Sequence, residues 1–368
     1  VPHPTTADLA AAVDRVLATA ARDDYFSGAV CLAGNGEVLL EAGYGIASRR
    51  WQTPVTTATR FDTASITKLF TAVAALQQVD AGRFTLDTPI TEVVDLVGTT
   101  IGSTVTVRHL LTHTSGIADD ADEEAGESYE ELWYSRPSYM VTQTRDFLPQ
   151  FAYKPPRVAP GTDCRYCNVG YVLLGLAVEA VTGRAYRDYV REHIFAPAGM
   201  ATAGFFDMRE AVADVAEGWD PVTDNTGTVI GWRSNIYSYP PIGSPDGGAH
   251  ARPADLVTFL DAVRNGQLLS ADLTTAFLTP QVLHDATAER ELHYCFGLEA
   301  VVVDGTVRYL AKDGINAGTS GLLLYVPATG VTVALLANSM GGVRRVAANL
   351  RGLLLGYHAL ASNRQPWP

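Results

Sequence analysis

Four cysteines in 368 residues are too few for a disulfide framework. Long apolar runs are missing as well. No stretch reaches the roughly 18 residues a membrane span needs, so no transmembrane segment is expected. Positive charge is scarce: 27 Lys and Arg against 40 Asp and Glu leave a formal net charge of −13. Such a chain repels a polyanion, and nucleic acid is not an expected partner. The chain opens VPHPTTADLA, with no apolar signal core, and its compartment stays open. Cys164 and Cys167 form one C-x-x-C, but no second ligand pair stands at zinc spacing. Cys31 and Cys295 lie in strand-like runs and read as small buried hydrophobes. Neither a metal nor a cofactor is expected.

What is present is ordinary globular material: 47% hydrophobic and 18% charged residues. The length suits one large domain or two intimate ones, with a core that needs no staples. Residues 5–21 carry Leu9, Val13, Val16, Leu17 and Ala20 at helical spacing. AVCLAGNGEVLLEAGYG then reads as a hairpin around Asn35-Gly36. Residues 65–81 and 171–183 read as helices, each followed or closed by a glycine. From about 83 to 240 helical pieces and Pro/Gly turns replace strand alternation. The stretch 119–131 is strongly acidic and reads as a solvated loop or helix face, or else as the rim of a site that disfavours anions. Two more hairpins follow, around Asp304-Gly305 and around a Pro-Ala-Thr-Gly turn, and residues 343–358 close with a helix.

The expected fold is therefore α/β (α+β). An antiparallel sheet is built from both ends of the chain, flanked by terminal helices, with a mostly helical insertion. The boundaries read as 1–64 with 245–368 for the sheet part and 65–244 for the helical part. A site is expected in the cleft where the two meet.

Within FDTASITKLF, Ser65 and Lys68 stand three apart at the start of a helix and share a face. A helix start favours developing negative charge. A serine hydroxyl becomes a nucleophile only when a base takes its proton. A lysine can be that base if burial or a cationic neighbour lowers its affinity for the proton. Alone, S-x-x-K is a weak signal and reads first as a capping serine with a solvated lysine on the next turn. Tyr166 and Asn168 in PGTDCRYCNVGY, and Lys312, Asp313 and Gly314 in LAKDGINAGTSG, change the weighing. Singly, Tyr166 reads more often as a packed aromatic and Lys312 as a surface charge. Together the three elements S-x-x-K, Y-x-N and K-x-G stand in order at wide spacing.

On these motifs the chain resembles the serine β-lactamase and penicillin-binding-protein superfamily. The branch is that of class C β-lactamases, D-alanyl-D-alanine carboxypeptidases, D-amino-acid amidases and peptidases, family VIII carboxylesterases and related transacylases. HLLTHTSGI, residues 109–117, and DGGAHARPADLVTFL, residues 246–260, are similar to stretches typical of that branch. The likeness runs from about residue 8 to 357. It implies a β-lactamase/transpeptidase-like fold and an acyl-enzyme on Ser65. Lys68 and Tyr166 would share the proton work, Tyr166 being the favoured base because Lys68 and Lys312 would stabilise its phenolate. Asn168 would orient Lys68 and the substrate's acyl side chain. The backbone N–H groups of Ser65 and Ile315 would form the oxyanion hole, each such donor being worth about 3 kcal/mol in the barrier. His113, in the THTSG stretch, would be structural rather than part of a triad.

Asp313 departs from the family pattern, which carries threonine or a similar hydroxyl residue there to hold a substrate carboxylate. Two like charges about 4 Å apart, at an effective dielectric near 20, repel by about 4 kcal/mol before relaxation. Asp313 and Gly314 are thus read as substrate-binding positions that disfavour penicillins and peptides ending in D-alanine, leaving neutral esters and amides. Cys167 and Cys164 replace residues common beside the tyrosine, and their oxidation would distort Tyr166. The expected protein is a metal-free serine hydrolase acting on a small ester, amide or peptide-like substrate. Three other readings stand beside it: a class C-type β-lactamase or carboxypeptidase, a transacylase passing the acyl group to an amine or alcohol, and a non-catalytic binding protein. Oligomeric state is not legible.

Overall fold

The computed structural model of this chain describes residues 6–356. Its centre is an eight-stranded antiparallel sheet. Two strands come from the start of the chain, β1 (Gly28–Gly34) and β2 (Glu37–Tyr44). Six come from the end: β3 (Val282–Ala286), β4 (Glu291–Tyr294), β5 (Glu299–Val303), β6 (Thr306–Asn316), β7 (Thr319–Val326) and β8 (Val331–Ala337). Their spatial order is β2-β1-β8-β7-β6-β5-β4-β3. The ends of the chain are joined by β1 and β8, with Cys31 opposite Ala334.

Turn chemistry sets the hairpins. Asn35 and Gly36 have φ of 53° and 84°, and Asp304 and Gly305 have φ of 51° and 71°. Positive φ at both central residues is what a tight two-residue hairpin requires, and Asn-Gly and Asp-Gly supply it at least strain. The strands β1, β7 and β8 are buried along their whole length. That explains why they read as continuous apolar runs: both faces are covered. On one face Val30, Leu32, Leu322, Leu324, Val333 and Leu335 pack with Leu9, Val13 and Leu17 of α1 (Thr6–Arg22). Val343, Val346 and Leu350 of α5 (Gly342–Leu354) complete that layer. On the other face Cys31, Leu323, Ala334 and Leu336 join the core of the helical part.

Three helices matter there: α2 (Thr67–Asp80), α3 (Asn168–Thr182) and α4 (Pro253–Arg264). Ten consecutive residues of α2, Thr67 to Leu76, are buried, as are Asn168 to Val178 of α3. A helix apolar nearly all round belongs inside a large core. The αL residue Gly183, φ 67°, ends α3, and Gly82, φ 64°, follows the end of α2.

The sequence reading needs three corrections. The block 83–240 also holds a strand pair, Trp219–Thr223 with Val229–Ser234. Its residues are partly or fully exposed, so no apolar alternation marks it. The edge strand β3 and the start of its neighbour β4 also escaped the sequence reading, being only five and four residues long and broken by His and acidic residues. The helix read from residue 171 begins at Asn168, and the helix read as 343–358 ends at Leu354, residues 357 and 358 lying outside the described residues.

Two glycines of α3 make a direct comparison. A Cβ on Gly175 would meet Pro245 Cγ at 2.2 Å, whereas one on Gly170 would have Leu110 as its nearest neighbour at 3.6 Å. Gly175→Ala should therefore destabilise the fold by about 1–3 kcal/mol through overpacking. Gly170→Ala should be neutral or stabilising, by up to about 1 kcal/mol of helix propensity. Urea unfolding midpoints of the two variants check this.

Candidate active site

Ser65 lies in a single 3₁₀ turn, Ala64–Ile66, that leads into α2. The turn is pinned from both sides. Phe61 and Asp62 pair with Ala251 and His250. Thr63 donates to the Ala249 carbonyl through its N–H and through Oγ1, at 2.8 Å each. Ala64 has φ of 44°, a left-handed conformation unusual for a residue with a Cβ, and its N–H donates to Asp62 Oδ1 at 2.6 Å. Such strain costs on the order of 1–3 kcal/mol and persists only where neighbours hold it. From the sheet side, β6 comes so close that a Cβ on Gly314 would lie 2.3 Å from the Thr63 carbonyl oxygen and 3.0 Å from the Ser65 nitrogen. Only glycine fits there.

Lys68 is fully buried, one turn further along. Its Nζ donates to Ser65 Oγ at 3.0 Å, to Asn168 Oδ1 at 2.7 Å and to the Asp246 carbonyl oxygen at 2.6 Å. Three donors of an ammonium group thus have three acceptors. Asn168 is the first residue of α3. The carboxylate of Asp119 accepts from the N–H groups of Asn168 and Val169, at 2.8 and 3.1 Å. That fixes where α3 starts, hence where the Asn168 amide points.

Tyr166 precedes α3. Its ring centroid lies 5.1 Å from Lys68 Nζ and 4.8 Å from Lys312 Nζ. The His113 ring packs tilted against Tyr166, with centroids 4.5 Å apart, and also lies against Tyr171 and Tyr294. The Cys167 N–H donates to His113 Nδ1 at 3.1 Å, which places the ring proton of a neutral imidazole on Nε2. Burial, then the nearby Lys312 and Lys68, hold the His113 pKa well below its ordinary value. The histidine is a neutral wedge behind the tyrosine. On the other side Glu124 Oε1 accepts from the Tyr166 N–H at 2.9 Å.

Lys312 reaches the group from β6 and bonds Glu299 Oε1 of β5 at 3.0 Å. Asp313 stands 3.9 Å from the same ammonium. Burial works against the charge on Lys312, but Glu299 and Asp313 outweigh it and raise its pKa above the ordinary 10.5. Burial likewise pushes the Glu299 carboxyl up, against the pull of Lys312. A cleft opens at Ser65 and is walled by Ala64, Tyr129, Asn168, Tyr239, Ile315 and Asn316, among others.

Ser65, Lys68, Tyr166, Asn168 and Lys312 thus converge, Gly314 touches the serine turn, and Ile315 lines the cleft. Asp313 and Gly314 are not among the residues that wall it. Sequence reasoning missed Glu299, Asp246, Asp119 and Glu124. The acidic stretch was the available signal for two of them, but it is not one solvated face. Asp119 and Asp120 are buried, and Asp122 pairs with Arg157 and Arg165. A buried carboxylate there caps α3, a role set by the neighbouring chain and not by local composition.

A family model described as Beta-lactamase matches residues 13–357. This chain belongs to the β-lactamase family. Among its β-lactamase-family relatives, "Penicillin-binding protein 4" of Amycolatopsis lactamdurans is 29% identical over 322 residues, covering 83% of this chain and 78% of that protein. "Esterase EstB" of Burkholderia gladioli is 34% identical over 209 residues, covering 54% of this chain and 52% of the esterase. The crystal structure of a penicillin-binding protein from Bacillus halodurans superposes with a TM-score of 0.85 at 32% identity, covering 93% of this chain and 99% of that one. The protein is accordingly a serine hydrolase or acyltransferase of the β-lactamase-like superfamily, on the β-lactamase/transpeptidase fold.

In this β-lactamase-family chain Glu299 is the counter-ion closest to Lys312. Glu299→Gln should destabilise the protein by about 3–5 kcal/mol, because it leaves a buried ammonium poorly compensated. An amine whose folded pKa is raised contributes stability that is full below its unfolded value and lost as pH rises through the folded one. The stability difference between the two proteins should thus hold from pH 7 up to Lys312's ordinary value of 10.5 and close only above it. Thermal melts across that range check both parts.

Proposed function

We propose that this protein hydrolyses a neutral ester or amide through an acyl-enzyme on Ser65. The observation that carries the reading is the short contact between a buried ammonium and the serine hydroxyl, Lys68 Nζ to Ser65 Oγ at 3.0 Å. Lys68, as an ammonium that donates to Ser65, Asn168 and Asp246, orients the serine, and in that charge state it cannot also take the serine's proton. Tyr166, flanked by two ammonium groups that favour negative charge on its oxygen, is the better base. In the proposed cycle the Ser65 proton passes to Tyr166 as Oγ attacks the carbonyl carbon. The backbone N–H groups of Ser65 and Ile315 stabilise the resulting oxyanion. Tyr166 returns the proton to the leaving alcohol or amine, then activates the water that releases the acid. The proposed body has two parts, residues 1–64 with 245–368 and residues 65–244, which meet at this site.

The preference for neutral substrates rests on Asp313, whose carboxylate stands 3.9 Å from Lys312 Nζ, the cation that would otherwise attract a substrate carboxylate. Turnover of p-nitrophenyl esters without comparable nitrocefin cleavage is the expected outcome, and Ser65→Ala should lower ester turnover by at least about 10³-fold. Rapid nitrocefin turnover would replace this reading with that of a β-lactamase. Asp313→Thr should quicken acylation by a labelled penicillin about tenfold or more, as relief of a few kcal/mol of repulsion allows. An unchanged acylation rate would remove Asp313 from the account of specificity.

A further inference from the structure

A second, larger cavity lies beside the cleft, and the two share Asp62, Met208, Tyr239 and His250 as a common wall. Nothing in the proposed hydrolysis uses it. Its far side is partly aromatic, with Trp51, Phe61 and Phe206. Its charged groups are mostly acidic. Asp62, Glu210 and Glu217 line it, as does Asp207, which is paired with Arg209; the basic side is Arg50 with His250. Arg60 stands over the ring of Phe206 and donates to the carbonyls of Thr202 and Ala213. An excess of carboxylates beside aromatic faces suits a cation with an apolar body.

His250 supplies a separate observation. It sits in the shared wall, buried, with its ring 5.6 Å from Phe206. Its Nδ1 is buried and makes no hydrogen bond of good geometry among the described residues, the Gly248 backbone being the polar group that bears on the ring. Buried polar atoms are rarely left so, and a ligand is one explanation. Burial lowers the His250 pKa, so the ring is neutral near pH 7 and can accept a hydrogen bond from a donor reaching it. Asp62, in the same wall, holds the Ala64 N–H of the turn that presents Ser65.

We propose that this second cavity binds a primary ammonium carried on an aromatic or apolar group. Such a group is presented either by the far end of a substrate whose carbonyl lies at Ser65 or by a separate amine. The test uses phenethylamine as probe and the full-length Ser65→Ala protein, so binding is read independently of whether Ser65 is the nucleophile. Calorimetry should show phenethylamine binding at least about tenfold more tightly than phenethyl alcohol or 3-phenylpropionate, a difference of about 1.4 kcal/mol. Adding Ile236→Trp, which puts bulk on the cavity wall from a half-exposed position, should weaken that binding at least severalfold. In the Ser65 protein the same change should leave p-nitrophenyl acetate hydrolysis unaltered. Glu210→Gln, a milder surface change, should weaken the amine severalfold. Two kinetic arms separate the sources. If a substrate carries the amine, p-nitrophenyl 6-aminohexanoate should show a lower KM than the hexanoate ester, and phenethylamine should raise it. If a separate amine is bound, phenethylamine should change kcat for p-nitrophenyl acetate without raising KM. Absence of binding, equal binding of the alcohol, or binding unaffected by Ile236→Trp would overturn the proposal.

Discussion

The three hydrogens of a buried ammonium need three acceptors, and much of this molecule serves to supply them to Lys68. Ser65 Oγ, Asn168 Oδ1 and the Asp246 carbonyl come from three distant parts of the chain. An unpaired charge in such a place would cost several kcal/mol, so each acceptor must be held by its own support. Ser65 is held by a strained turn clamped between Ala249 and Gly314. Asn168 is held by a helix whose start is fixed by Asp119. The Asp246 carbonyl lies on the loop that follows Pro245, against Gly175 of the same helix. The geometry around one nitrogen therefore depends on packing across both parts of the fold.

A second charge constraint lies on the sheet side. Lys312 is as buried as Lys68, but it is compensated by a carboxylate, Glu299, and not by neutral acceptors. The two ammonium groups face one phenol, Tyr166, whose ring is wedged by a neutral His113. A charged imidazole there would add a third cation to the cluster. Burial and the two lysines both oppose that, which keeps the histidine neutral and its role one of packing. The proposed chemistry needs such a division: cations that stay charged and one acid-base group between them.

Much of this was legible from residues alone. The hairpins announced themselves through Asn35-Gly36 and Asp304-Gly305, because only a few residue types tolerate positive φ in sequence. Continuous apolar runs marked strands covered on both faces. Ser65, Lys68, Tyr166 and Lys312 were marked by motif and order. Hidden residues were those whose role is created by a partner distant in sequence. Glu299 sits in an otherwise apolar strand, and nothing local marks it until Lys312 is placed beside it. Asp119 is one acid among many in its stretch, and only the start of α3 distinguishes it. The exposed strand pair Trp219–Thr223 with Val229–Ser234 hid for the opposite reason: it buries too little to leave a pattern.

The central claim is that one alcohol, and no other, is activated by this cluster. Labelling the folded protein with a fluorophosphonate and mapping the adduct by peptide mass spectrometry tests it most directly. The account expects a single adduct, on the peptide carrying Ser65, and none after Tyr166→Phe under the same brief exposure. An adduct on any other residue, or ester turnover with no adduct at Ser65, would contradict it.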